Sequence, residues 1–304
     1  MNALTIDVPE HVRTLSGAVK TELGNLSGAP LVAISSVQFE RLTGYEGARF
    51  EACLAAAEAY AEAGVQQLVM FGERSHYQVP QELARRGAIV VVTPRPGLAT
   101  PYLDAAQLVR LHAGPNSNVL KAEGDKLLTA DGLCAIEAAL HSYDVVVGDR
   151  TPASMATMSP IQQRTEAILD ATFENVLEIP HGASSGVQAY TPRGLQVFLS
   201  YEQVLDTLGN NWKYLLYVPA YAAYQGLRVG SALVDIVYDA AMVAAEDNAG
   251  LTLKRLEQLP LMLEGGYEVA TLVDSDSRGY NQPTADRMAA ANSQLATLRA
   301  LTQG

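Results

Sequence analysis

The sequence predicts an α/β protein with a mostly parallel sheet and helices on both faces. Short, fully apolar segments rich in branched residues alternate along residues 30–150 with segments whose apolar residues recur at helical spacing. Strands without polar alternation are typical of parallel sheets that are buried on both faces. The chain of 304 residues is also long enough to enclose a large core.

Three apolar runs predict the first three strands, at residues 31–34, 67–71 and 88–93. Helical spacing of apolar residues predicts helices over residues 46–64 and 79–86 between them. The turn after the first strand contains neither GxGxxG nor GxxxxGK[ST]. The sequence therefore lacks the main signals of a dinucleotide-binding site and of a P-loop.

Residues 119–150 carry the main signals of a function and predict a strand, a helix and a further strand. Glu123 and Asp125 stand on either side of a glycine after the first of these strands, and Arg150 follows the second. Ligands of open α/β sheets gather where strands end at their carboxyl edge. Two acids and an arginine at such ends predict a site for a metal-bound diphosphate.

A loop of small residues follows this unit, at residues 180–190 with the sequence PHGASSGVQAY. Such a loop lets a ligand approach backbone N–H groups closely. Apolar spacing predicts helices on either side of it, one beginning after Ser159 and one over residues 195–205. We expect the loop to contribute to a binding site.

The last third of the chain predicts a tyrosine-lined helix, a strand and a terminal helix. Tyrosines 214, 217, 221 and 224 share one helix face, although Pro219 strains that helix. This face lines an acceptor cleft or packs in the core. Residues 228–238 predict a strand, and residues 283–301 predict an amphipathic helix that docks on its own domain or forms a homodimer with a partner chain.

Composition and charge exclude several classes of protein. A net charge of −12 argues against nucleic acid and anionic membranes as partners, since both favour clustered Lys and Arg. No signal peptide and no apolar run of membrane-spanning length is present, so we expect a cytoplasmic protein without an integral membrane segment. Cys53 and Cys134 lie on apolar faces of predicted helices, which predicts two buried, reduced thiols and no zinc site.

In this order, the strand exits resemble those of GT-A-fold, nucleotide-sugar-dependent glycosyltransferases of the family 2 type. Polyprenyl-phosphate mannose synthases and glucosyl-3-phosphoglycerate synthases belong to that group, and the resemblance covers residues 30–238. Four motifs carry it. They are RPGLA at 95–99, the DxD-like EGD at 123–125, the Gly-x-Arg GDR at 148–150 and SGVQA at 185–189.

Several positions differ from the family pattern. Glu123 stands where the family has an aspartate, and Gln188 stands where it has an arginine. The Asn-Glu expected after the first strand is missing, and the second strand ends in Phe71-Gly72-Glu73 in place of two aspartates. These differences concern the metal, the acceptor loop and the contacts with the nucleobase.

The resemblance implies a GT-A fold, Rossmann-like, with a C-terminal helical acceptor region. It implies a hexosyltransferase that moves a hexose from a UDP- or GDP-sugar to a small or lipid-phosphate acceptor, with Mg²⁺ or Mn²⁺ held by Asp125 and Glu123. The candidate catalytic residues are Asp125 and Arg150. The candidate nucleotide contacts are Ser35, Ser36, Glu73, Arg95, Gly97, Glu123 and Lys126. The candidate substrate contacts are His181, Ser185, Gly186 and Gln188.

The expected organisation is a leader at residues 1–29, a nucleotide-sugar-binding half at 30–150, an acceptor-binding half of the same domain at 151–245, and a helical extension at 246–304. Two other functions remain open. A sugar-phosphate nucleotidyltransferase uses a related sheet, and a non-catalytic nucleotide or sugar binder would tolerate the altered motifs. Arg150 also fits a structural ion pair with Asp149 or Asp144.

Overall fold

The computed structural model describes residues 8–18, 20–177, 179–180, 182–238, 240–246, 249–269 and 293. Its strands are β1 Leu31–Val37, β2 Gln66–Gly72, β3 Ile89–Thr93, β4 Asn118–Lys121, β5 Leu127–Leu128, β6 Val145–Arg150, β7 Gln188–Tyr190, β8 Val229–Val234 and β9 Ile236–Val237. Its α-helices are α1 Glu10–Ala18, α2 Lys20–Leu23, α3 Gly44–Glu62, α4 Gln78–Arg85, α5 Thr100–His112, α6 Ala130–Leu140, α7 Pro152–Ala156, α8 Pro160–Thr172, α9 Pro192–Leu208, α10 Lys213–Tyr224, α11 Ala240–Glu246 and α12 Ala249–Tyr267.

Seven of these strands form one mixed sheet in the order β3-β2-β1-β4-β7-β6-β8, and β5 pairs with β9 in a separate two-stranded sheet. Strands β1, β2, β3 and β4 run parallel to one another, as do β6 and β8. Strand β7 is antiparallel to both β4 and β6. The predicted class, an α/β Rossmann-like fold with a mostly parallel sheet, is confirmed.

The reversed direction of β7 follows from how the chain enters it. The small-residue loop before β7 turns beside Asp149, near the end of β6, and beside Glu123, which follows β4. The chain therefore enters β7 from the carboxyl edge of its neighbours and runs back across the sheet. Gly182, with φ +96°, permits this turn because a Cβ there would lie 2.5 Å from the Asp149 Cα.

Alternate residues of the apolar strands supply the two faces of the sheet. In β1, Val32 and Ile34 join the core that includes α5, α9 and α10, whereas Leu31 and Ala33 join the core beneath α3 and α6. The side chains of β6 alternate in the same way. Val146 faces one side of the sheet, and the valines directly before and after it in sequence face the other. Burial on both faces explains why these strands carry no polar alternation.

Two predicted strand ends are wrong. Strand β1 continues to Val37, so Ser35 lies inside the strand and is buried. Strand β6 continues to Arg150, so its charged residues belong to the strand and do not follow it. Both strands extend because parallel neighbours supply backbone partners there, Phe71 for Val37 and Val234 for Arg150. Polar composition alone does not end a strand that is paired.

The tyrosine-lined helix forms despite its proline, and its face is mostly core. Tyr214, Tyr217 and Tyr224 are buried. Pro219 has no N–H to donate to the carbonyl of Leu215, four residues earlier. The side-chain amide of Gln188 donates to that carbonyl instead, at 2.6 Å. The helix therefore keeps its buried carbonyl satisfied by a contact from β7.

The C-terminal part of the described chain docks on this helix. Helix α12 packs on α10 and α8, and Lys213 lies 3.3 Å from Glu264 and 3.2 Å from Glu268. The predicted terminal helix, residues 283–301, lies outside the described residues apart from Ser293.

Two further sequence expectations have a clear outcome. Cys53 is buried as expected, but the prediction for Cys134 is wrong, since it lies on the exposed side of α6. Among the described helices, none combines the length and the hydrophobicity that crossing a membrane requires.

Candidate functional site

A cleft opens at the carboxyl edge of the sheet, where β1 and β4 lie side by side. From β1 the chain moves outward to β2 and β3, and it then returns to β4 on the other side of β1. Open α/β sheets bind ligands at such switch points, because successive connections diverge there and leave a crevice. This first cleft encloses a cavity of about 110 Å³.

Three strand exits and a wall of aromatic rings line the first cleft. Ser36 and Val37 end β1, Gly97 and Leu98 follow β3, and the tripeptide at residues 123–125 follows β4. The aromatic side chains are Phe39, Tyr102, Trp212 and Tyr214. The structure thus brings Ser36, Gly97, Glu123 and Asp125 together, as the sequence predicts.

Asp125 is paired with an arginine that the sequence analysis missed. Arg49, on α3, donates from Nε to the Asp125 carboxylate. Its guanidinium also lies 5.4 Å from the ring centre of Phe39 and 5.6 Å from that of Tyr45. The side chain of Arg49 is 33 % exposed, whereas that of Asp125 is 6 % exposed. The guanidinium therefore covers the carboxylate and faces the cleft itself.

Glu123 is paired with Lys126, whose Nζ lies 3.2 Å away. Burial alone would raise the pKa of Glu123, but the positive charges of Lys126, Arg255 and Lys121 outweigh it and lower the pKa to about 2. The Nζ of Lys126 also donates to the carbonyl of Ser185 at 2.5 Å. The tripeptide and the small-residue loop are therefore held together by one ammonium group.

A second lysine, Lys121, lies fully buried at the end of β4. Its Nζ donates to the carbonyl of Gly186 at 2.9 Å and lies 5.3 Å and 5.1 Å from the ring centres of Tyr102 and Tyr214. Burial lowers the pKa of Lys121 to about 7. A lysine in an otherwise apolar strand is the sequence signal that could have identified this group.

The expected metal ion does not fit the described side chains as they stand. Mg²⁺ and Mn²⁺ take several oxygen ligands, usually including free carboxylates. Within the described ranges, no three His, Cys, Asp or Glu side chains are grouped to hold a metal. Asp125 is covered by Arg49, and Glu123 is paired with Lys126. The two acids of the tripeptide are arranged as partners of cations.

Arg150 is buried and belongs to a network of hydrogen bonds. It donates to the Glu166 carboxylate at 2.8 Å and 3.2 Å, to the carbonyl of Ser185 at 3.2 Å and to the hydroxyl of Tyr238 at 3.1 Å. The sequence also allowed a structural ion pair for Arg150. The structure shows such a pair, and the partner is Glu166, on α8. Asp144, which directly precedes β6, forms ion pairs with two other arginines.

Four candidate nucleotide contacts, Lys126 and the three described next, are not among the residues that line the first cleft. Arg95 forms ion pairs with Asp104 and Glu202. Glu73 is exposed in the turn after β2. Ser35 is buried in β1, where its hydroxyl accepts from the side chain of Gln67 at 3.4 Å.

The candidate substrate contacts of the loop point largely into the protein. The hydroxyl of Ser185 accepts from the N–H of Val187, and the carbonyls of Ser185 and Gly186 accept from lysines. Gln188 is fully buried, and its side-chain oxygen accepts from Tyr190. His181 lies outside the described residues.

A second cleft, with a cavity of about 60 Å³, adjoins the first. The two share Arg49, Glu123, Asp125 and Trp212 as lining residues. Lys126 and the α12 residues Lys254, Arg255 and Gln258 complete the charged and polar part of the second wall. Four basic and two acidic side chains line it, although the chain as a whole carries a net charge of −12. The local excess of positive charge favours an anionic ligand.

Gly186 is required beside the ion pair of Glu123 and Lys126. An added Cβ would lie 2.8 Å from the Glu123 carboxylate and 3.1 Å from the Lys126 ammonium. We expect Gly186→Ala to lower the free energy of unfolding by more than Gly28→Ala. Both glycines have positive φ, +78° and +75°, so both variants lose about 1–2 kcal/mol to backbone strain, but a Cβ added at Gly28 would meet nothing within 4 Å. Equal losses in urea unfolding would show that Gly186 makes no packing contribution.

Comparison with protein-family models and with curated proteins finds no match to the chain. Several solved structures are similar in outline. A proposed nucleotide-diphospho-sugar transferase from Desulfovibrio desulfuricans is 10 % identical, with a TM-score of 0.43 over 77 % of this chain and 98 % of its own. Residues 1–349 of TarS from S. aureus, also solved with UDP, are 13 % identical, with a TM-score of 0.43 over 81 % and 76 %.

A third structure, 4-diphosphocytidyl-2C-methyl-D-erythritol synthase from Anaerococcus prevotii, is 8 % identical, with a TM-score of 0.46 over 72 % of this chain and 97 % of its own. Similarity of this size is too distant to assign a substrate or an activity. The sheet and its clefts define the class by themselves. This is an α/β protein with a charged, aromatic-walled site at the switch point of a mixed sheet.

Proposed function

We propose that the chain is a nucleotide-sugar-dependent glycosyltransferase that moves a hexose from a UDP- or GDP-sugar to a small or lipid-phosphate acceptor. The observation that supports this most is the content of the first cleft. It combines aromatic rings with a guanidinium group and the Glu123-Gly124-Asp125 tripeptide at the switch point of the sheet. A nucleotide sugar presents an aromatic base, an anionic diphosphate and a hydroxylated ring, which match these three features.

The donor is placed by three kinds of contact. Aromatic side chains such as Trp212 and Tyr214 offer flat apolar surface to the base or the sugar. The guanidinium of Arg49 offers N–H donors whose geometry suits phosphate oxygens. The partly exposed Glu123 carboxylate accepts hydrogen bonds from sugar hydroxyls.

The reaction breaks the bond between the anomeric carbon and the diphosphate oxygen, and the electron pair leaves with the nucleoside diphosphate. The acceptor oxygen forms the new bond to the same carbon, and its proton passes to a base or to solvent. Negative charge therefore grows on the diphosphate as the bond breaks. Fixed positive groups beside that oxygen stabilise the transition state more than the ground state.

The second cleft is the proposed acceptor site. It shares Arg49, Glu123 and Asp125 with the first cleft, so an acceptor oxygen placed there is close to the donor sugar. Its basic wall favours an acceptor that carries a phosphate. Part of this wall comes from α12, in the segment expected to be a helical extension.

A thermal-shift panel tests this function. We expect UDP or GDP to raise the melting temperature, since a ligand that binds only the folded chain at a hundred times its Kd adds about 2.7 kcal/mol. Release of the nucleoside diphosphate from the matching UDP- or GDP-sugar then measures turnover.

Each other result of these assays has a definite reading. The absence of any shift with UDP, GDP and their sugars would contradict the proposal. A clear preference for a nucleoside triphosphate would favour a nucleotidyltransferase, and binding without turnover would favour a non-catalytic binder.

A further inference from the structure

We propose that the first cleft binds the donor's diphosphate through the guanidinium of Arg49, in the place where a divalent metal ion is expected. The inference rests on the proposed function, because it names the group that meets the diphosphate. It departs from the expectation that Asp125 and Glu123 hold Mg²⁺ or Mn²⁺.

Exposure decides which group an incoming ligand meets. The Arg49 side chain is 33 % exposed and lines both clefts, whereas its partner Asp125 is 6 % exposed. A phosphate that enters the first cleft therefore meets the Arg49 guanidinium in front of Asp125, while Glu123, which is 29 % exposed, is paired with Lys126 at 3.2 Å. Asp125 lies behind the guanidinium and directs it.

The guanidinium is also fixed before any ligand arrives. Its Nε donates to Asp125, and its Cζ lies 5.4 Å from the ring centre of Phe39 and 5.6 Å from that of Tyr45. Phe39 precedes α3, whereas Tyr45 lies in its first turn. A positive group that is already oriented needs little reorganisation when the diphosphate binds. Lys126 is less suited to this role, since it is 8 % exposed and is bound to Glu123 and Ser185.

Charge opposes a metal ion in the same place. Each carboxylate of the tripeptide already faces one cation, Arg49 for Asp125 and Lys126 for Glu123. A divalent ion between the two acids would be repelled by both cations at short range, whereas an anionic diphosphate is attracted by them. The described residues also form no group of three acidic, histidine or cysteine side chains that could hold a metal.

Isothermal titration calorimetry with UDP and with GDP tests the inference, each in EDTA and in Mn²⁺. We expect the full-length chain to bind one of these probes with the same Kd within about twofold in both buffers. In EDTA, Arg49→Ala is expected to weaken that binding about tenfold to a hundredfold, the usual effect of losing a hydrogen bond to a charged group. Arg49→Gln serves as a second variant that keeps the length of the side chain without its charge.

The matched control is Arg85→Ala, which removes an arginine that pairs with Glu82 on the exposed surface of α4. Its Kd should equal that of the unaltered chain. Binding by the unaltered chain that disappears in EDTA and returns with Mn²⁺ would overturn the inference and leave the glycosyltransferase proposal intact. Unchanged binding by a folded Arg49→Ala or Arg49→Gln variant in EDTA would overturn it as well. Absence of binding in both buffers would overturn the inference together with the proposed function.

Discussion

Replacement of Glu166 by Gln is expected to lower the free energy of unfolding by about 3–5 kcal/mol, measured by urea denaturation. The side chains of Glu166 and Arg150 are 9 % and 2 % exposed, and two hydrogen bonds join them. Without the carboxylate, a buried guanidinium keeps its charge and loses its counter-ion. The matched control is Glu58→Gln, which removes an exposed partner of Arg86 and should cost less than about 1 kcal/mol. Similar losses in the two variants would contradict the buried network.

The same variant has a predicted pH dependence. Burial alone would raise the pKa of Glu166, but the guanidinium of Arg150 outweighs it, so the pKa lies below its ordinary value of 4.5. A carboxylate whose pKa is lower in the folded chain than in the unfolded chain stabilises the fold at pH values above its ordinary pKa. This contribution is lost as the pH falls through the lowered pKa. The difference in stability between the unaltered chain and Glu166→Gln should therefore shrink in acid. A difference that stays constant down to acid unfolding would contradict the assignment.

The second large effect concerns activity. Asp125→Ala is expected to lower the transfer or hydrolysis of the nucleotide sugar at least about a hundredfold, the scale of removing one fixed transition-state contact. Asp125 accepts a hydrogen bond from Arg49 and fixes the direction of its guanidinium. Loss of the carboxylate leaves that cation without its partner at the diphosphate. Turnover is measured as release of the nucleoside diphosphate under saturating donor.

A suitable control for this experiment is Glu137→Ala, which removes an exposed acid from α6 away from the clefts. Its turnover should match that of the unaltered chain. If Asp125→Ala has the same turnover as well, Asp125 has no part in the reaction.

Much of the fold follows from local sequence. Apolar runs of strand length and apolar residues at helical spacing identify β1–β4, β6, α3 and α6, because a sheet buried on both faces demands them. The exits of β1, β3 and β4 then supply Ser36, Gly97, Glu123 and Asp125 to one cleft. These predictions depend on neighbours along the chain and on the rule that parallel strands share one carboxyl edge.

The partners of the charged residues do not follow from local sequence. Arg49 lies 76 residues before Asp125, and Arg150 reaches a carboxylate on a helix that comes after it. Such contacts depend on how α3 and α8 cross the sheet, which periodicity does not specify. The same limit explains why the metal prediction counted Asp125 as a free acid and missed Arg49, the cation that covers it.

Gln188 illustrates a different difficulty, in which a residue at a motif position makes structural contacts. The resemblance assigns it to the substrate, but its amide donates to the Leu215 carbonyl that Pro219 leaves without a helical partner. Proline in the middle of a helix and a buried glutamine in a distant strand are therefore connected. Only the three-dimensional arrangement of β7 and α10 reveals this.

The most direct test of the central claim uses the single tryptophan of the chain. Trp212 lines both clefts. Because the chain has no other tryptophan, its fluorescence reports on ligands that bind there. Titration with UDP and GDP should give a saturable change in emission for the nucleotide that raises the melting temperature, with a Kd that increases in Arg49→Gln. Emission that stays constant while the same nucleotide stabilises the chain would place the nucleotide elsewhere and contradict the account.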